Sequence, residues 1–143
     1  MSDVWAGIAG EFLHHYPRGS RLLAVAGADA ERSRRAADDL AEALRAAGQE
    51  VRRAHSTDGD EQSLRDDVIS PFRTAQGPEV LVVSGPGILL STTARGIWNS
   101  AVWQLAGDEP PHTVADAIVD MTDPDAPTRR FADYCAAPAS WGA

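Results

Sequence analysis

Residues 21–48 read RLLAVAGADAERSRRAADDLAEALRAAG, and this stretch contains the strand and the helix that set the architecture. It begins with a short, continuous apolar run that ends at Gly27, which is typical of a strand buried on both faces. From Ser33 to Ala47 the apolar residues recur at intervals of three and four, as in a helix, and Gly48 is typical of the C-terminal end of a helix. The stretch therefore predicts a buried strand followed by an amphipathic helix.

The flanking segments continue this alternation of strand and helix. Apolar spacing predicts an opening helix within residues 1–17, a helix through Leu64, Val68 and Phe72, and further helix-like spacing through residues 90–97. Continuous apolar or β-rich runs predict strands at 50–55, 79–84, 101–105 and 115–120. We therefore predict one α/β domain over residues 1–143, a three-layer sandwich with a mostly parallel sheet of about five strands. Residues 123–143 are predicted to be a loosely docked tail.

Composition excludes several function classes. All thirteen basic residues are arginine, so lysine-based phosphate binding and Schiff-base chemistry are impossible within this chain. The net charge of −8 argues against a nucleic-acid-binding surface, and the longest apolar run is too short to cross a membrane. The single cysteine, Cys135, cannot form an internal disulfide, and the N-terminal residues have the reverse of a secretory charge pattern. We expect a cytoplasmic protein.

The loop after the first predicted strand stands where a phosphate-binding loop would lie. Counting from Gly27, the positions of the second glycine, the lysine and the hydroxyl residue hold Arg32, Ser33 and Arg34. Asp29 and Glu31 add negative charge where phosphates would bind. ATP is therefore not expected in the usual position. A purely structural alternative is that the acids and Ser33 cap the following helix and complement its dipole.

Polar residues also follow the next two strands, and in a parallel sheet the carboxyl ends of the strands form the ligand-binding edge. The second strand is followed by a run suited to proton transfer or magnesium binding, namely His55, Ser56, Thr57, Asp58, Asp60 and Glu61. An Asp-Gly-Asp turn is equally typical of any solvated loop. Ser84 and Gly85 end the third strand and offer a hydroxyl and exposed amides, without the spacing of a nucleophile elbow.

The chain resembles the uridine kinase-like P-loop proteins, in the wider group with phosphoribulokinase. Three segments carry the resemblance: LLAVAGADAERSRRAADDLAEALRAAGQEVRRAHSTDGD at 22–60, EVLVVSGPGILLSTTARGIWNSAVWQL at 79–105 and ADAIVDMTDPDAP at 115–127. By this resemblance, Asp58 matches the acid that lies near magnesium and the attacking hydroxyl in the kinases. Ser84 stands where the family strand ends in an acid, and Gly85 matches the glycine that follows.

The same resemblance shows which kinase parts are missing. The phosphate loop retains only Gly27. The nucleoside-binding insertion after Asp60 and the arginine-rich lid between Leu105 and Ala115 are cut to a few residues. Phosphoryl transfer depends on positioning and electrostatic stabilisation, so these losses together predict a degenerate member without kinase activity.

The leading hypothesis is a kinase-derived scaffold whose cleft binds a small molecule, with or without acid–base catalysis. Asp58 would be the general base or acid with His55 assisting, and Arg32 or Arg34 would orient an anionic or carbonyl oxygen. The predicted ligand-binding residues are Gly27, Arg32, Ser33, Arg34, Asp60, Ser84 and Gly85. No cofactor or metal site is predicted, and neither ATP nor Mg²⁺ is expected to bind.

Two alternatives come from other classes. One is a non-catalytic homodimer or interaction module in which the shortened lid exposes Trp98, Trp103 or Trp141. The other is a residual nucleoside kinase that uses arginine in place of lysine, although arginine cannot copy the compact loop geometry. Neither alternative involves nucleic acid or a membrane.

Overall fold

The structure is a computed structural model that describes residues 3–17, 19–27, 29–58, 60–75, 77–91, 95–105, 115–123 and 125–130. Its helices are α1 (Asp3–His15), α2 (Ala30–Ala46), α3 (Glu61–Leu64) and α4 (Ser70–Ala75), with a π-helical turn at Arg65–Ile69 joining the last two. The strands are β1 (Arg21–Gly27), β2 (Val51–His55), β3 (Val80–Gly85), β4 (Ser100–Leu105), β5 (Ala117–Asp120) and β6 (Thr128–Arg130).

The strands form one sheet in the order β2-β3-β1-β4-β5-β6. All neighbours are parallel except β5 and β6, which are antiparallel. The predicted α/β class and mostly parallel sheet are confirmed, with six strands in place of about five. Within the described ranges, no helix combines the length and the apolar character needed to span a membrane.

The central strands are buried on both faces, which explains their continuous apolar sequences. Successive side chains of a strand point to opposite faces, so Leu23 and Val25 pack with the α1 and α2 side chains, including Phe12 and Leu40. Leu22, Ala24 and Ala26 face the opposite cluster, which contains residues of α3 and α4 and the loop before β4. The sheet is therefore the middle of three layers.

The segment between β3 and β4 corrects the sequence prediction, which expected helix-like spacing there. The described residues form two short 3₁₀ turns, Gly87–Leu90 and Arg95–Ile97, with extended backbone at Pro86 and Ser91. Tertiary packing explains the difference, because Leu89 and Leu90 are buried in the core and Trp98 Nε1 donates to the Leu89 carbonyl at 2.8 Å. Burial of these side chains fixes the path without an α-helix in the described part of the connection.

Part of the predicted tail belongs to the sheet. Thr128–Arg130 forms β6, and the sequence analysis assigned no strand to this segment. Arg129 forms an ion pair with Glu11 of α1, and Arg35 of α2 donates to Asp125 at 2.6 Å. Residues 131–143, which contain Cys135 and Trp141, lie outside the described residues.

The exposed-tryptophan premise of the interaction-module hypothesis is wrong for two of its three residues. Trp98 and Trp103 are each 8% exposed and belong to the core cluster on the α3–α4 face of the sheet. Large aromatic side chains gain most from burial inside a core, and these two fill the space beside β4. The third residue, Trp141, lies outside the described residues.

Candidate functional site

The order of the strands creates a switch point at the carboxyl edge of the sheet. From β1 the chain passes through α2 to β2 on one side, whereas from β3 it crosses to β4 on the other side of β1. Connections that leave neighbouring strands in opposite directions open a crevice beyond their carboxyl ends, where ligands bind in open α/β sheets. The crevice therefore lies between the ends of β1 and β3, and the end of β2 lies on the other side of β3.

The loop after β1 is capped by its own acid. Asp29 is the N-cap of α2, and its carboxylate accepts hydrogen bonds from the amides of Glu31 at 2.9 Å and Arg32 at 3.3 Å. The hydrogen bond from the Arg32 amide is the main cause that lowers the pKa of Asp29. These amides are the groups that would otherwise hold an anion at the helix terminus. The capping interpretation is confirmed for Asp29.

Arg32 and Ser33 are held by contacts within the protein. Arg32 Nε donates to the Met121 carbonyl at 2.8 Å, and its Nη1 pairs with Asp29 at 2.5 Å. Ser33 is fully buried, and its hydroxyl donates to Gln104 Oε1 at 3.1 Å. Neither side chain is arranged as the lysine or the hydroxyl of a phosphate-binding loop would be. Ser33 also does not cap α2, so that part of the capping alternative is wrong.

Gly27 is needed for packing against β4. It lies opposite Gln104 in the parallel pairing of β1 and β4. A Cβ added at this glycine would lie 2.7 Å from the Gln104 carbonyl oxygen and 2.8 Å from its Cδ, and would overlap Oε1. Gln104 was missed by the sequence analysis, although a single polar residue inside the apolar run AVWQL marks it. Its Nε2 is buried and has no hydrogen-bond partner among the described residues.

The ends of β2 and β3 bring together an imidazole, a hydroxyl and a guanidinium. His55 Nδ1 lies 2.6 Å from Ser84 Oγ, and the same hydroxyl accepts from Arg53 Nη2 at 3.2 Å. Arg53 is itself fixed, because it pairs with Asp38 at 2.9 Å and donates to the Val82 carbonyl at 2.9 Å. Ser84 is fully buried, so it is not placed to act as a nucleophile. It holds the imidazole ring in one orientation, with Nε2 outside the pair.

The electrostatic surroundings keep His55 neutral. Burial of the imidazole lowers the pKa of His55, and the positive charges of Arg34 and Arg53 lower it further. A neutral imidazole at physiological pH can accept a proton. Arg34 is exposed on α2, and within the described ranges it forms no hydrogen bond or ion pair. This guanidinium therefore offers its donors to solvent, and its charge acts on His55.

The two aspartates after β2 have structural roles. Asp58 Oδ1 accepts from the Asp60 amide at 3.0 Å in a tight turn. Asp60 is the N-cap of α3 and accepts from the Gln62 amide at 3.2 Å and the Ser63 hydroxyl at 2.9 Å. No hydrogen bond or ion pair joins Asp58 to His55 among the residues that the structure describes. These contacts match the solvated-turn alternative.

Gly85 also has a packing role. A Cβ added there would lie 2.8 Å from Leu89 Cδ1 and 3.0 Å from the Ser56 carbonyl oxygen. The missing side chain therefore lets the residues after β2 and the turn after β3 approach the strand end. Across the described part of the chain, no group of three or more histidine, cysteine or acidic side chains could hold a metal ion.

Comparison of the chain with protein-family models, curated proteins and solved structures finds no match. Any functional conclusion must therefore be argued from the site itself.

Proposed function

We propose that this chain is a small-molecule-binding protein on a uridine kinase-like scaffold, that it does not transfer phosphate from ATP, and that its ligand is a small anion bound at the carboxyl edge of β2 and β3. One observation carries the proposal: Ser84 orients the imidazole of His55, and the positive charge of Arg34, which forms no hydrogen bond or ion pair among the described residues, helps to lower the pKa of that imidazole. The proposal includes a cytoplasmic location, which the acidic, single-cysteine composition supports.

The chemistry of the two groups specifies the ligand class. A guanidinium presents donors in a planar fork that matches the oxygens of a carboxylate or a phosphate. Ser84 Oγ donates to the Ala54 carbonyl at 3.5 Å, and in the tautomer that matches this bond His55 Nδ1 donates to Oγ. Nε2 is then the nitrogen that can accept a proton. A small organic acid or phosphate ester with an acidic proton near its anionic group fits this pair. Arg34 binds the anion, and His55 is the proton acceptor.

The absence of ATP chemistry is supported by Asp29. Its carboxylate occupies two amides at the start of α2 and repels a phosphate group at the same place. Removing this carboxylate from the site would require breaking its ion pair with Arg32. A residual nucleoside kinase would need these amides free, so the proposal disfavours that alternative.

The test is a titration of the full chain with malonate and with phenyl phosphate. Binding is monitored through the NMR chemical shifts of His55 and of the amides around it. Arg34→Gln removes the proposed anion-binding charge, and Arg35→Gln, the next residue on the same helix, makes the same change in charge at an exposed ion pair with Asp125. We expect saturable binding that Arg34→Gln weakens by about tenfold, as for loss of a charge-assisted hydrogen bond, and that Arg35→Gln leaves unchanged.

Three results would contradict the proposal. They are the absence of saturation with both probes, equal weakening by the two arginine variants, and calorimetric binding of MgATP by the natural chain. Binding of MgATP would restore the kinase alternative.

A further inference from the structure

A cavity of about 300 Å³ opens at the edge of the sheet where β4 and β5 begin. Its walls come from the last turns of α1, from the amino ends of β4 and β5, and from β6. The lining of the cavity includes Ile8, Glu11, Phe12, Tyr16, Asp116 and Arg129. This volume is at the lower end of the range for small-molecule sites. None of these residues belongs to the anion site proposed above.

The charge of Arg129 is already matched within the cavity. Its guanidinium makes a two-point contact with Glu11, in which Nη2 donates to Oε1 at 3.0 Å and Nη1 pairs with Oε2. The hydrogen bond from Arg129 is the main cause that lowers the pKa of Glu11. Glu11 is therefore charged, and the two side chains form a neutral pair that leaves neither charge for a ligand.

Asp116 contributes a carboxylate charge that no described cation matches. Its Oδ2 accepts from the Ala101 amide at 2.8 Å and from the Ser100 hydroxyl at 3.2 Å, and these contacts fix the side chain at the start of β5. Asp116 has no ion pair among the residues that the structure describes. A carboxylate has about four acceptor positions, so Oδ1 remains able to accept from a ligand.

The remaining walls favour an organic cation over a metal ion. The rings of Phe12 and Tyr16 lie 5.5 Å apart and are tilted by 39°, and Ile8 adds apolar surface beside them. Ile8 and Phe12 are 4% and 3% exposed, so Tyr16, which is half-buried, is the aromatic side chain that a ligand can reach most readily. Aromatic rings attract cations, and their apolar surface attracts hydrocarbon. A metal ion would need more ligands, and no such group exists among the described residues.

We propose that this cavity is a binding site for a small organic ammonium ion. The ammonium group donates to Asp116, and the hydrocarbon part packs against Tyr16 and the small exposed surface of Ile8 and Phe12. His15 also lies at the cavity, so all probes are compared at one fixed pH of about 8.

The first experiment uses the full natural chain and three probes of equal length, n-butylammonium, 1-butanol and butyrate, in NMR titrations of the Phe12 and Ala117 amides. We expect saturable shifts with n-butylammonium, and binding of 1-butanol that is weaker by about tenfold or more because it lacks the charge-assisted hydrogen bond. Butyrate should not bind, since Asp116 repels it. Equal affinity for butylammonium and butanol, or no saturation with butylammonium, would overturn the proposal.

The second experiment locates the charge. Asp116→Asn keeps the size of the side chain and an oxygen for the Ala101 amide, and it should weaken n-butylammonium by about tenfold. Asp67→Asn, at an exposed position of the π-helical turn, makes the same change in charge and should leave the affinity unchanged. Equal affinity in Asp116→Asn and the natural chain would refute the assignment. If Asp116→Asn does not fold, the comparison of n-butylammonium with 1-butanol in the natural chain tests whether the site binds the positive charge.

Discussion

Replacing Gly27 by alanine tests whether packing against Gln104 explains the glycine at the end of β1. The added Cβ would lie 2.7 Å from the Gln104 carbonyl oxygen and 2.8 Å from Cδ, and would overlap Oε1. The carbonyl belongs to a strand paired in register with β1, so it cannot move without disturbing the sheet. The side chain of Gln104 can move, but it would give up its hydrogen bond with the buried Ser33 hydroxyl.

These contacts predict the size of the effect. Adding a methyl group to a well-packed interior costs about 1–3 kcal/mol, and the fixed carbonyl puts Gly27→Ala near the upper end, about 3 kcal/mol. In a Gln104→Ala background, two of the three close atoms are gone and only the carbonyl contact remains. Gly27→Ala should then cost about 1–2 kcal/mol less, a coupling within the range measured for residues in contact.

The assay is urea unfolding of the natural chain, both single variants and the double variant, with the free energy of unfolding taken from the midpoint and the slope. A constant slope would show that the denatured state is unchanged. The reasoning is refuted if Gly27→Ala costs less than about 0.5 kcal/mol, the ordinary range of surface substitutions. It is also refuted if the cost is the same with and without the Gln104 side chain.

Three further predictions concern Arg21, Asp29 and His55. Arg21 is 3% exposed and donates to four acceptors in the three loops that lead into β1, β2 and β3. Arg21→Met should therefore lower the free energy of unfolding, measured in urea, by about 2–4 kcal/mol. A loss under about 1 kcal/mol would contradict this role. Asp29→Ala removes the cap of α2 and should lower the free energy of unfolding in urea by about 1 kcal/mol. An unchanged free energy of unfolding would show that Asp29 does not stabilise the helix. Burial lowers the pKa of His55 in the folded protein, so the unfolded chain binds the proton at higher pH. The contribution of neutral His55 to the free energy of unfolding is therefore present above about pH 6.5, and it is lost as pH falls through this value towards the folded pKa. His55→Gln should therefore show a shallower loss of stability on acidification, and identical pH profiles would disprove the assignment.

The sequence was sufficient to predict the fold class, because each helix and strand is indicated by residues within that segment. The period of three and four in α2 and the continuous apolar runs of β1 and β3 follow from which faces are buried, and each can be read without knowing the neighbours. The same reading failed between β3 and β4. There the burial of Leu89 and Trp98 in the core set the backbone, and helical spacing did not.

For the site, the sequence drew attention to the residues after the strands, because parallel strands present their carboxyl ends on one edge. The pairing of His55 with Ser84 joins residues 29 apart in sequence, and it depends on the register of β2 against β3. The partner of Ser33 is 71 residues away, on a strand whose position follows from the sheet order.

Composition and spacing thus determined that this chain forms a layered α/β domain without lysine chemistry, since those properties depend on residue type and local period. The roles of Ser33, Gln104 and Asp116 were decided only by tertiary structure. Each depends on which donor or backbone atom lies within about 3 Å, the range of a hydrogen bond, and the folded sheet and its connections alone bring those atoms together.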